Sequence, residues 1–157
     1  MKKLGMALLL ASFSLSSFAN TSHVDIAGSA AKKFYDSMNV KETRIKVTSH
    51  SGFNPMISYK FFQTSNGNFN IICKKRLLTD DCRFEVNENA HPNKGEDSIE
   101  INGQTAFELY EILNIEPKFM QDQGVDPLLS MKSFVEEDLV VVCEVRMNTR
   151  YCNIHAK

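Results

Sequence analysis

Apolar residues recur along this chain at two periods, and each period appears twice. In 27–40, Ala31, Phe34, Tyr35 and Met38 stand at i, i+3, i+4 and i+7; in 102–115, Ala106, Leu109, Tyr110 and Leu113 do the same. That spacing predicts an amphipathic helix in each stretch, with one apolar stripe on a core. Each stripe stops at an asparagine, Asn39 or Asn114. Asparagine tolerates the left-handed conformation, so a Schellman ending is expected, with Val40 folding back on Tyr35 and Ile115 on Tyr110. Period-two runs follow at about 56–63, 69–75 and 80–86, and again at about 128–134, 139–145 and 150–155. In 41–51 only Ile45 and Val47 alternate with polar residues, enough for one short additional strand.

The two halves are copies. "AGSAAKKFYDSMNV" aligns with "NGQTAFELYEILNI" at an offset of 75, "GFNPMISYKFF" with "GVDPLLSMKSF" at 72, and the cysteines at 70. Three ordered segments recurring this way indicate a duplicated structural unit. The polar stretch 89–97, with Pro92 and Gly95, reads as the linker between a first module, 20–88, and a second, 98–157.

The four cysteines form two C-x8-C pairs. Structural zinc pairs use two to four intervening residues, so the spacing favours disulfides. Around the first pair, a four-residue loop at 76–79 places Lys75 opposite Asp80 and Lys74 opposite Asp81. The bridges expected are Cys73–Cys82 and Cys143–Cys152, each across a hairpin, the second turning at Met147-Asn148. The fold expected is α+β: two tandem modules, each one helix on a three-stranded antiparallel sheet.

One polar pattern also repeats. Ser58 and Lys60 return as Ser130 and Lys132, on the strand face that carries Phe62 or Phe134. The opposite face, Ile57, Tyr59 and Phe61, is the more apolar and is expected under the helix. Ser58, Lys60, Phe62, Ser130, Lys132 and Phe134 are thus the candidate binding residues on an open sheet face. If the sheets instead pack face against face, Phe62 and Phe134 are expected inside. A Ser-Lys catalytic dyad would need a buried lysine in two sites, and no catalytic residue is assigned.

Lys2 and Lys3, the apolar run "LGMALLLAS" and Ser17-Phe18-Ala19 read as a signal peptide, 1–19. No later segment is apolar enough to cross a membrane, and membrane insertion is not expected. Export agrees with cysteines in disulfides and implies the periplasm of a Gram-negative bacterium, or secretion. The chain after residue 19 has 16 basic and 19 acidic side chains, so it lacks the excess of basic charge that marks nucleic-acid binding. The charge is unevenly split: 20–95 carries 11 basic and 7 acidic groups, net +4, and 96–157 carries 5 and 12, net −7. His23, His50, His91 and His155 have no metal-ligand spacing, and Glu136-Glu137-Asp138 has no second ligand group. Neither a metal nor a cofactor is expected.

The pattern G-x-x-A-x-x-[FL]-Y-[DE]-x-[ML]-N, a lysine-bearing strand and C-x8-C resembles a class of small exported bacterial proteins that carry one such unit; here it is doubled. The plan of two helix-and-sheet modules with disulfides is similar to the β-lactamase inhibitor protein family, which binds its enzyme on a sheet surface. The helix-loop-helix start of that family is not evident here, and its disulfide spacings differ. The reading is a non-enzymatic module that binds another protein, as an inhibitor or immunity factor. The alternatives are an envelope hydrolase with an unrecognised site and a small-ligand binder between the modules.

Overall fold

The structure, a computed structural model, describes residues 22–47, 55–87, 98–121 and 128–156. The expected signal peptide, 1–19, and the expected linker, 89–97, lie outside these described residues. The same element order occurs twice. The first repeat runs β1 (Ser22–Ala27), α1 (Gly28–Ser37), β2 (Glu42–Lys46), β3 (Met56–Gln63), β4 (Phe69–Lys75) and β5 (Asp80–Val86). The second runs β6 (Ser98–Asn102), α2 (Gly103–Ile112), β7 (Lys118–Gln121), β8 (Leu128–Val135), β9 (Leu139–Val145) and β10 (Arg150–Ala156).

Each repeat forms a five-stranded sheet, ordered β1-β5-β4-β3-β2 and β6-β10-β9-β8-β7. Every strand pair is antiparallel. The α+β class holds, but the three-stranded sheet does not: a strand is added at each edge. β1 and β6 precede the helices, where only two apolar side chains alternate in each, Val24 and Ile26 or Ile99 and Ile101. Pairing with β5 or β10 turns those two side chains into the core, which a run of five or six residues does not announce.

The strand enters each helix without a loop. Gly28 and Gly103 take φ of +69° and +63°, a region that side chains with a Cβ rarely adopt, and so the chain can turn there at once. The helix ends correct the Schellman expectation. Met38 and Leu113 are extended, and no described non-glycine residue has positive φ. The asparagine amides reach across the molecule instead. Asn39 N–H donates to Ile112 O and Asn114 N–H to Ser37 O, both at 2.7 Å, on either side of a Met38–Leu113 bridge. This reciprocal pair marks an approximate two-fold axis between the repeats.

The repeats share one core. Phe34 lies in edge-to-face contact with Phe84 of its own sheet, centroids 5.0 Å apart, and with Phe134 of the other repeat, 5.3 Å apart. Buried residues of both repeats join in a single cluster. At its rim Lys33 pairs with Glu136 at 2.7 Å, and Glu108 accepts from the Ser65 N–H and hydroxyl. Asn66 donates to the Thr105 hydroxyl at 2.9 Å.

Both disulfides join directly opposed cross-strand residues, Cys73–Cys82 and Cys143–Cys152. The register sets Lys75 against Asp80 and Lys74 against Asp81, and Arg76 N–H donates to Thr79 O across the four-residue loop. All four cysteines are buried under the helices. Replacing Cys73 and Cys82 together by alanine should lower stability by roughly 2–3 kcal/mol, since the bridge restrains a short loop of the unfolded chain. Urea unfolding of the double variant checks this, and an unchanged midpoint would show that strand pairing alone holds the hairpin.

Candidate binding surface

The six candidate residues do not form an open face. Lys60 lies opposite Cys73 and Lys132 opposite Cys143, so they share the helix-bearing side of each sheet with the disulfides. Phe134 is only 9% exposed and Phe62 packs against the core. The helix side is therefore the reverse of the one expected, and the arrangement that puts Phe62 and Phe134 inside is the one adopted.

The lysines turn inward because the helix ends supply oxygen. Lys60 Nζ donates to Tyr35 O and Met38 O, both at 2.7 Å. Lys132 Nζ donates to Tyr110 O at 2.9 Å and Leu113 O at 2.8 Å. The last carbonyls of a helix lack intrahelical partners and carry partial negative charge, so a cation there satisfies both needs. Each ammonium also sits over a tyrosine ring, 4.7 Å from the Tyr35 centroid or 4.3 Å from that of Tyr110. Burial pulls the Lys60 pKa below its ordinary value.

Each serine serves the same tyrosine. Tyr110 and Ser130 share a hydroxyl–hydroxyl hydrogen bond. In the first repeat Tyr35 OH donates to Glu42, which also accepts from Arg44 and Ser58. Burial and the bond to Glu42 raise the Tyr35 pKa. The bonds from Arg44 and Tyr35 hold Glu42 below its usual range. Each Ser-x-Lys pair thus orients a tyrosine and closes a helix. The lysine binds main-chain carbonyls through an ammonium, and the serine is turned to the tyrosine or its carboxylate, so neither pair has the hydrogen bond from a nucleophile to a basic amine that acyl transfer needs.

The other side of each sheet carries uncovered apolar groups. Ile45 pairs with Ile57 and Phe61 with Ile72, and Tyr59 stands between Thr43 and Lys74. Phe61 remains 53% exposed and Ile45 45%. In the second repeat Met120, Met131, Val135, Val140 and Val142 occupy the corresponding side, with Met120 and Val135 exposed. Towards β5 and β1 the first sheet becomes charged, and Arg83 donates to both oxygens of Asp25. An open groove of about 520 Å³ there is lined by those two residues with Lys74, Asp81 and Glu85. Bonds from Arg83 hold the Asp25 carboxyl below its usual range.

The period-two pattern contained this face but could not orient it. The signal lay in the cysteines: the side of β4 that carries Cys73 must face the helix if the bridge is to be buried, and the register then carries Lys60 inward.

No group of three or more His, Cys, Asp or Glu among the described residues is placed to hold a metal ion, and no helix among them is long and apolar enough to cross a membrane. The two disulfides are compatible with a secreted or periplasmic protein. Comparison with protein-family models, with curated proteins and with solved structures finds no match to this chain.

Proposed function

We propose that this chain is an exported, non-enzymatic module that binds another protein, as an inhibitor or immunity factor does, in the periplasm of a Gram-negative bacterium or outside the cell. The observation that carries the reading is the uncovered apolar face formed by Ile45, Ile57, Tyr59, Phe61 and Ile72. Exposed aromatic and branched side chains on a rigid sheet are ordinary anchors of a protein interface. The Cys73–Cys82 disulfide holds two strands of the sheet that presents it, so little order has to be gained on binding.

Phe61→Ser tests the reading. Recovery of a partner by the mature protein from envelope extract should fall sharply, with the isolated complex about 30-fold weaker, as expected when a central anchor is lost. The melting temperature should not fall, because the side chain is already half in solvent. Undiminished recovery by Phe61→Ser and by Ile45→Ser would sink this face as the site.

A further inference from the structure

Among the described residues the β4–β5 tip carries the most exposed large apolar side chain, Leu78, with Leu77 beside it, at the end of the sheet where Ile45 and Ile57 also lie. Leu77 is 74% exposed and Leu78 91%. Nothing in the turn needs leucine there. The loop is closed by main-chain atoms, Arg76 N–H to Thr79 O at 3.0 Å, and tight turns ordinarily take glycine, asparagine, aspartate or serine. The Cys73–Cys82 bridge lies just behind the loop, so the leucines project from a stapled base.

The surroundings have a sign. Arg44, Ser58, Lys75 and Asp80 form one cross-strand row near this end of the sheet, and Ile45, Lys46, Met56 and Ile57 lie beyond it on the side of the tip. Arg44, Lys46, Lys74, Lys75 and Arg76 outnumber Glu42, Asp80 and Asp81, while Asp36 beside Lys75 is offset by Lys32. One Asp80 oxygen is buried, turned away from solvent. The tip belongs to the half of the chain, 20–95, that carries net charge +4, while 96–157 carries −7. That difference in charge favours approach of the first half, which carries the leucines, to a negative surface. The corresponding tip of the second repeat exposes one large apolar side chain, Met147, and belongs to the acidic half of the chain.

From this combination we propose that the Leu77-Leu78 tip docks on the surface of an anionic lipid bilayer. The leucines enter the headgroup boundary and the cations around them meet the lipid phosphates. A soft, negatively charged surface suits a convex apolar tip, which has no concavity of its own to close over a partner. The contact is peripheral, made by one loop, and does not depend on the protein-binding reading above.

The test is co-sedimentation of the mature chain with vesicles of phosphatidylcholine containing phosphatidylglycerol, and with phosphatidylcholine alone. Binding is expected to the mixed vesicles, to weaken with added salt, and to be much weaker on the neutral ones. Leu77→Ser with Leu78→Ser should reduce partitioning about tenfold or more, since both apolar groups that enter the boundary are lost. Met147→Ser should bind as the wild type does. Thermal melting establishes that each variant is folded. Failure of the wild type to sediment with anionic vesicles overturns the proposal, as does equal binding by the double serine variant. A double variant that instead loses recovery of a protein partner overturns it in favour of a protein pocket. Phe61→Ser should leave vesicle binding unchanged, which separates the fate of this proposal from that of the protein-binding face.

Discussion

Phe34→Ala should destabilise the whole chain by about 3–5 kcal/mol, the cost of removing a fully buried phenyl ring from a packed core. Phe34 has no solvent exposure and touches Phe84 on one side and Phe134 on the other. The cavity would therefore open at the seam between repeats rather than within one of them. Denaturant unfolding of the variant should still show a single transition, because each half loses core when the other leaves. Phe134→Ala should act on the same seam. In a double-mutant cycle the pair should couple by about 1 kcal/mol, as edge-to-face rings do. Two separate transitions in the wild type, or strict additivity of the two variants, would show that the repeats fold independently.

The second large effect is expected at the lysines. Lys60→Met keeps most of the apolar stem and deletes the ammonium that serves Tyr35 O and Met38 O. Two charge-assisted hydrogen bonds and the helix-end attraction are lost, and a loss of about 2–3 kcal/mol is expected. Lys132→Met should cost a similar amount, since it removes the same two-carbonyl cap from α2. Ser58→Ala serves as the control. Its hydroxyl donates at 3.4 Å to an exposed carboxylate, and the change should stay within about 0.5 kcal/mol. Equal effects of Lys60→Met and Ser58→Ala on the urea midpoint would remove the capping role.

These two sites also show where the chain is easily read and where it is not. The hairpins were legible because their constraints are local. Symmetrically placed cysteines and the Lys75–Asp80 and Lys74–Asp81 pairs leave one register that satisfies them all. The helices were legible because Phe34, Tyr35 and Met38 keep helical spacing, and their counterparts Leu109, Tyr110 and Leu113 repeat it. The orientation of β3 and β8 was not. A lysine in a period-two run reads as solvent-facing, yet here its stem packs inward and its charge is satisfied by carbonyls contributed from another element. β1 and β6 escape the periodicity although the repeat extends into them. Val24-Asp25-Ile26 corresponds to Ile99-Glu100-Ile101 at the same offset of 75 as the helices. Two apolar residues carry little periodicity, but the same two recurring before the same glycine would have extended the unit. The helix ends are not legible either, because asparagine after a helix suggests a local cap, whereas Asn39 and Asn114 use their amides across the two-fold axis.

The reciprocal bonds at Met38 and Leu113 have the geometry of a homodimer whose two chains have been joined. Two identical subunits meet at a rate set by their concentration and must show every surface twice. Joining them makes the encounter intramolecular, at an effective concentration that dilution cannot lower. It also releases each half from its twin: once one gene encodes both copies, a substitution alters one side of the axis alone. The contrast between +4 and −7 is a difference that no homodimer can acquire. Joining the copies thus lets the two sides of the axis diverge in charge while they go on sharing one core.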